Sequence, residues 1–402
     1  MPPDSAITRT GANRRLSAQT LNTVPTLVPA FDHQDQVFSS AFSLLRQAIT
    51  ERAFPAASIA VTHQGRLVAL KSFGHSVYKT DRGAPLLAAF ARSGNFDVGT
   101  NTLFDLASLT KVVSTTTMAM ILYERGLLEL DAPVIGVVPE FRSPSDPRRD
   151  SVSFRMLLAH SSGLPAYEKL FLKAGTRDDL FHAAFTTPLS ADPGSRAEYS
   201  DIGFIILGEA LVRIAEEPLD RFCQREIFGP LAMTHTTFNP PAEMRTKIPP
   251  TADDRTFRHR IIQGEVQDEN AFVLGGIAGH AGLFSTAEDL ARFAHSMLNG
   301  GHPILRPETV ALFTRRETAP AGTSRPLGWD TPSAPSQSGK HFSPASFGHL
   351  GYTGTSLWIN PERQFSITLL TNRTWPDCVN QATKQVRPKF HDAVVEAIEK
   401  PR

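Results

Sequence analysis

A serine stands three residues ahead of a lysine in Ser108-Leu109-Thr110-Lys111, and this pairing could do chemistry. On a helix that spacing is most of one turn, so the amine lies beside the hydroxyl and can take its proton or hold its hydrogen bond. Such a hydroxyl attacks acyl carbonyls. If the serine also opens the helix, free N–H groups face the oxygen that becomes negative, and the helix dipole favours that charge. The apolar pattern from Val112 to Tyr123, ending at Gly126, predicts the helix required. A second Ser-x-x-Lys, Ser76-Val77-Tyr78-Lys79, is an internal control. It lies in strand-like sequence, where residues three apart face opposite sides and cannot cooperate. The alternative signature G-x-S-x-G is absent; Gly74-His75-Ser76-Val77-Tyr78 approaches it but lacks the last glycine.

Other segments extend the pattern. Phe104 to Lys111 is followed by Leu157-Leu158-Ala159-His160-Ser161-Ser162-Gly163-Leu164-Pro165, then by Pro193-Gly194-Ser195 leading to Tyr199-Ser200-Asp201. Gly275 to Leu290 and His349-Leu350-Gly351 complete the series. This ordered set, spanning roughly residues 36 to 400, resembles the serine β-lactamase and penicillin-recognising superfamily, in the branch with class C β-lactamases, D,D-carboxypeptidases and β-lactamase-like esterases. The resemblance implies an acyl-enzyme on Ser108, with Lys111 and Tyr199 as the proton-transfer network. It implies an oxyanion hole from the backbone N–H groups of Ser108 and Tyr352. Asp201, His349, Leu350 and Gly351 would face the substrate. No metal or organic cofactor is implied.

The elements that must position these groups can be read from periodicity. Phe38, Phe42, Leu45 and Ile49 share one face of a helix that ends near Arg52. Ser58 to Thr62 and Leu67 to Phe73 flank a hairpin signal at His63-Gln64-Gly65-Arg66. A second hairpin joins Thr355 to Ile359 with Phe365 to Thr371, and Pro388 is expected to open a last helix through Phe390, Val394 and Ile398. The expected fold is therefore α/β of the α+β type, β-lactamase/transpeptidase-like. One antiparallel sheet comes from both chain ends and is flanked by helices, with a mostly helical subdomain inserted. Residues 1–35 read as a polar leader and 36–402 as one domain, its sheet part at about 36–110 plus 275–402 and its helical part at about 111–274. The segments 142–149 and 320–344 read as surface loops.

Composition narrows the partners. With 41 Lys plus Arg against 40 Asp plus Glu there is no basic surplus to attract nucleic acid or an anionic membrane. No apolar stretch reaches the length of a membrane span. The leader has Arg14-Arg15 but no apolar region after it, and two distant cysteines, Cys223 and Cys378, fit a reducing compartment; both point to the cytoplasm, with the periplasm as alternative. Gly275 to Gly282 lacks the spacing of a phosphate cradle and reads as tight backbone turning. The adjacent Asp268 and Glu269 read as solvated or structural carboxylates.

Two departures from the family pattern shape the expected substrate. Leu350 stands where a threonine is usual, which removes a hydroxyl, and Asp201 replaces an asparagine that could donate to an amide. Near Lys111, Asp201 would favour the ammonium and shift the burden of base to Tyr199. The expectation is a serine hydrolase of uncharged carboxylic esters, a small-molecule ester or acyl substrate, with weak or no β-lactamase activity. The alternatives are a β-lactamase or D,D-peptidase, and a catalytically silent binding protein on the same fold.

Overall fold

The computed structural model describes residues 26–78 and 94–400. Its strands in chain order are Val28–Pro29 (β1), Ala56–His63 (β2), Arg66–Gly74 (β3), Phe104–Asp105 (β4), Thr237–Phe238 (β5), Ala252–Asp254 (β6), Arg260–Ile262 (β7), Leu283–Ser285 (β8), Phe347–Leu350 (β9), Ser356–Asn360 (β10) and Phe365–Thr371 (β11). Six of them form the main sheet in the order β1-β3-β2-β11-β10-β9, so the two ends of the chain meet where β2 pairs with β11. Ala57 lies opposite Thr371 and His63 opposite Phe365. All neighbours are antiparallel except β1, which runs parallel to β3.

The period of two in the strands decides which face meets which helices. Ala57, Ile59 and Val61 of β2, with Ile367 and Leu369 of β11, pack beneath Phe42, Leu45, Phe390 and Val394 of the helices Ser39–Thr50 and Thr383–Glu399. Ala56 and Ala60, with Leu357, Ile359 and Leu370, face the larger core, where Leu290, Phe293 and Ala294 of helix Ala287–Leu298 cover the sheet. That core runs on into the middle of the chain through Val112, Leu122, Leu158, Phe204 and Leu211. Each such fully buried side chain contributes about 1.5–3 kcal/mol. A small sheet in the order β4-β8-β5 then brings the segment before Ser108 against the glycine-rich loop, with Phe104 opposite Ser285.

Two expectations need correction. β1 comes from residues read as leader; two residues carry no periodicity, and its main chain simply joins the β3 edge, with Ala30 N–H bonded to the Leu67 carbonyl at 2.8 Å. The last helix begins at Thr383, so Pro388 lies inside it and does not open it. The carbonyl that Pro388 cannot serve, that of Lys384, accepts instead from Gln337 Nε2 at 3.1 Å. The loop around 142–149 gains a short 3₁₀ turn at Pro147–Ser151, while 320–344 carries no helix or strand. Cys223, buried, and Cys378, exposed, are both free. No described helix is long and apolar enough to cross a membrane. Arg14, Arg15 and Lys79 lie outside the described residues.

Candidate active site

After β4 the chain turns through Ala107 at a φ of 48° before entering its helix. A left-handed alanine costs on the order of 1 kcal/mol. Asp105 Oδ1 holds it in place by accepting from the Ala107 N–H at 2.8 Å, and Oδ2 accepts from Gln267 N–H at 2.7 Å. Burial pushes the Asp105 pKa up to about 6, against the pull of these two bonds. Lys111 N–H then bonds the Ser108 carbonyl at 3.0 Å, closing a tight turn, and the helix continues through Lys111–Thr116 and Thr117–Glu124. The expected side-chain pairing is present, with Lys111 Nζ 3.1 Å from Ser108 Oγ.

Lys111 is fully buried, and three acceptors surround its ammonium. Besides Ser108 Oγ they are Asp201 Oδ1 at 2.6 Å and the His280 carbonyl at 3.0 Å. Burial alone would lower the lysine pKa, but the Asp201 carboxylate outweighs it, and the net direction is upward. Lys111 is therefore a charged donor with no free N–H. The phenol of Tyr199 completes the cluster, with its oxygen 2.8 Å from Ser108 Oγ and 3.2 Å from Asp201 Oδ1. Burial and the nearby Asp201 push its pKa up to about 12, so it rests as the protonated phenol. Its single hydrogen lies between a nucleophile and a carboxylate.

The segment around His160 holds Tyr199 in place. Ser200 N–H donates to His160 Nδ1 at 3.1 Å, and Ser200 Oγ donates to the Pro165 carbonyl at 2.6 Å. The same oxygen caps the helix Asp201–Ala215 by accepting from Gly203 N–H. Asp201 thus occupies the first helical position, where the dipole favours a negative charge. His160 packs against the Tyr199 ring at a tilt of 40°, with centroids 4.8 Å apart, and is held neutral, its pKa driven down chiefly by burial.

The turn between β9 and β10 forms the facing wall. A side chain at Gly351 would collide with Thr355 and the Leu106 carbonyl, so glycine alone permits the approach. Thr353 Oγ1 donates to the Asp105 carbonyl at 2.8 Å and Thr355 Oγ1 to that of Leu106 at 2.9 Å. These bonds fasten the turn carrying Tyr352 to the turn carrying Ser108. Among the described residues, the backbone N–H groups of Ser108 and Tyr352 donate to nothing. His349 donates Nδ1–H to the Leu350 carbonyl at 2.7 Å, which leaves Nε2 as a bare, unpartnered acceptor. Burial, with Lys111 and Arg325 nearby, pushes the His349 pKa down to about 3. Leu350 lines the cavity.

Of the eight residues singled out in the sequence, Ser108, Tyr199, Asp201, His349, Leu350, Gly351 and Tyr352 border one cavity of about 730 Å³. The eighth, Lys111, lies behind that wall and reaches it through Ser108 and Asp201. Ser76, the control, is buried elsewhere and bonds Asn95 Oδ1 at 3.1 Å. The glycine-rich loop is no phosphate cradle: it turns carbonyls toward Lys111 and Thr115, and Gly279 packs directly on Gly208 of the helix behind. Asp268 caps the helix Glu269–Val273 through Ala271 N–H at 2.7 Å and pairs with His280 Nε2 at 2.9 Å. It also borders the cavity, a place that nothing in its local sequence foretells. Sequence reasoning missed Asp105, His280, Arg325, Arg373 and Arg387. Asp105, three residues before the nucleophile, had a signal in its spacing; the arginines are scattered and had none.

A family model described as Beta-lactamase matches residues 41–387. The chain is 33% identical over 352 residues to an N-acetylmuramyl-L-alanine amidase of Bacillus subtilis, covering 80% of this chain and 77% of that protein. It is 32% identical over 355 residues, 80% of each chain, to a Salmonella typhimurium protein whose name assigns it provisionally to the D-alanyl-D-alanine carboxypeptidases. Among solved structures, EstCE1, a hydrolase with promiscuous acyltransferase activity, superposes with a TM-score of 0.70 at 20% identity over 90% of this chain and 99% of its own. Unliganded simvastatin synthase from Aspergillus terreus gives 0.69 at 19% identity over 91% and 99%. Those two likenesses show the fold. The family match over most of the sequence and the relatives at 32–33% identity establish that this chain belongs to the Beta-lactamase family, within the serine β-lactamase/transpeptidase-like superfamily of hydrolases.

Proposed function

We propose that the protein hydrolyses carboxylic esters through an acyl-enzyme on Ser108, with weak or no action on β-lactams. The observation that carries this reading is the convergence of Lys111 and Tyr199 on Ser108 Oγ, at 3.1 and 2.8 Å. Ser108 Oγ attacks the acyl carbon, and its proton passes to the Tyr199 oxygen as the phenol hydrogen moves to Asp201. Lys111 remains an ammonium and steadies the charge that develops on Oγ. The N–H groups of Ser108 and Tyr352 receive the oxyanion. Collapse expels the alkoxide, which takes a proton back through Tyr199. Water then attacks the acyl-enzyme, delivers its proton along the same relay, and Ser108 leaves as the hydroxyl. No metal or organic cofactor takes part in this scheme.

A second reading, hydrolysis of amide or D,D-peptide bonds, is favoured by the names of the relatives at 32–33% identity. Kinetics on nitrophenyl esters, nitrocefin and a D-alanyl-D-alanine peptide separate the two. Labelling with a fluorophosphonate, read by mass spectrometry of the intact protein and its peptides, should give one adduct, at Ser108. An adduct elsewhere, or none, ends the serine-hydrolase mechanism and favours a binding protein. We place the activity in the cytoplasm, a reading supported by the two free thiols and tested by cell fractionation.

A further inference from the structure

The exposed thiol of the described residues sits on the wall of the cavity that holds Ser108. Cys378, between β11 and the last helix, borders that cavity together with Tyr352 and Arg373. Its segment is pinned. Asp377 Oδ1 accepts from Val379 N–H at 3.0 Å, the Cys378 carbonyl accepts from Gln381 Nε2 at 2.8 Å, and Asn380 Nδ2 donates to the Arg52 carbonyl at 2.6 Å. The thiol is thereby held beside the Tyr352 phenol, whose pKa is pushed up to about 12 by burial and then by a hydrogen bond with Cys378. The backbone of the same tyrosine presents the N–H assigned to the oxyanion. Cys223, in contrast, is buried and bonds Ser114 Oγ at 3.2 Å.

A second group on this wall lacks a partner. Arg373 is 9% exposed, stacks 4.6 Å from the Tyr352 ring and donates Nε to the Tyr352 carbonyl at 2.7 Å, while its Nη1 donates to nothing. Burial pulls its pKa down, and the groups whose charge pulls it back up are Tyr352 and Cys378. The carboxylates that border the cavity do not neutralise it. Asp201 pairs with Lys111 at 2.6 Å, Asp268 with His280 at 2.9 Å and Asp330 with Arg325 at 3.6 Å. The fourth, Glu269, bears on Tyr352 and Tyr167 and not on Arg373. An anion brought in on the Cys378 sulfur is therefore repelled from the Glu269 side and drawn to the free N–H of a buried guanidinium.

We propose that Cys378 is a site of reversible S-thiolation by a small disulfide that carries carboxylates, and that the adduct closes the cavity to substrate. The Cys378 thiol gives its proton to solvent, and the thiolate attacks one sulfur of the disulfide. The new S–S bond forms as the old one breaks, and the other half leaves as its thiolate. An excess of free thiol reverses the exchange. Formation of the adduct is independent of the hydrolase reading; its effect on turnover rests on that reading.

Glutathione disulfide is the probe. Mass spectrometry of the treated native protein should find one glutathione per chain, at Cys378, with Cys223 unmodified. Nitrophenyl ester turnover should fall by about tenfold or more as the adduct accumulates, because the adduct occupies the cavity, and should return with dithiothreitol. Cys378→Ser should take no adduct, and its turnover should not respond to the disulfide. The charge requirement is read by a matched pair, 3,3′-dithiodipropionate and its dimethyl ester. The diacid should modify native Cys378 about tenfold faster, a preference that Arg373→Gln should abolish. Should that variant fail to fold, the two rates on the native protein decide. No adduct at Cys378, an adduct that leaves turnover unchanged, or a diacid no faster than its diester overturns the proposal. An adduct at Cys378 in a protein whose Ser108 takes no fluorophosphonate overturns the hydrolase reading and leaves the thiolation site standing, so the two failures are distinct.

Discussion

Two sets of cations serve the same cavity and are treated in opposite ways. Lys111 is enclosed by a hydroxyl, a carbonyl and a carboxylate, with Asp201 only 2.6 Å away. Arg373 and Arg387 are buried to a similar degree, yet they touch only carbonyls, an amide and an aromatic ring. A compensated charge belongs to the internal machinery, since its partner is built into the fold and present in every state. The two arginines have neutral partners only, and none of them touches Ser108 Oγ. The contrast separates the cation that takes part in the reaction from those that line the cavity beside it.

The compensated side can be broken most severely at Ser108. Ser108→Ala should cost at least about four powers of ten in ester turnover while leaving the thermal unfolding midpoint nearly unchanged, because the hydroxyl carries little packing. Loss of fold in this variant would mean that the serine is structural. Lys111→Ala and Tyr199→Phe should each lower kcat by about 100-fold, and the double variant by far less than the product, because both act on the same Ser108 oxygen. Full activity in Tyr199→Phe would remove that residue from proton transfer.

Asp201→Asn sharpens the comparison by making Lys111 resemble the arginines, a buried cation without its carboxylate. The lysine pKa should then fall, because the largest opposition to burial is gone. Turnover at pH 7 should drop by about tenfold, and the deficit should narrow toward high pH as the neutral amine becomes available as a base. A deficit that stays constant from pH 6 to 10 contradicts the role given to the carboxylate.

The protein has a third treatment of buried charge, which is to remove it. His160, His349 and His391 all have pKa values depressed mainly by burial, His349 and His391 to about 3. Below about pH 6.5 the unfolded chain protonates these rings and the folded one does not, so each histidine withdraws about 1.4 kcal/mol of stability per pH unit. Asp105, raised to about 6, works in the other direction by taking up a proton in the folded state first, as do Glu269, Asp289 and Asp330, whose pKa values burial also raises. The histidines therefore favour unfolding as the pH falls from 6 to 4 while these carboxylates oppose it. Urea unfolding across this range checks the slope, and His391→Gln should flatten it by one proton.

Much of this arrangement is legible in the amino-acid sequence. The Ser108–Lys111 spacing predicts a contact because one helical turn leaves little choice, and the two hairpins follow from alternation and turn residues. The effect of Asp201 on Lys111 enters the sequence reading only on the condition that the two are near, and the structure places them 2.6 Å apart. What cannot be read is what depends on few residues or on distant ones. β1 and β4 are two residues each, too short for a period. The Pro388 helix breaks a local rule because a side chain 51 positions earlier in the sequence, Gln337, takes the stranded carbonyl. Arg373 and Arg387 come together with Tyr352 only once β9, β10 and the last helix are in place.

The pairing of β2 with β11 has a consequence for how the chain is made. Thr62 and Ser366, whose hydroxyls lie 2.6 Å apart in the buried centre of the sheet, are separated by 304 residues. At a synthesis rate of about 5–20 residues per second, β2 waits on the order of 15–60 s for its partner to emerge. Through that interval the β2–β3 hairpin presents an open edge and two apolar faces, built from Ala56, Ile59, Ala60 and Val61, with nothing yet to cover them. The N-terminal hairpin is thus the part of the nascent chain most in need of a holding chaperone, and a ribosome stalled before Phe365 would expose the same edge for as long as it stayed stalled.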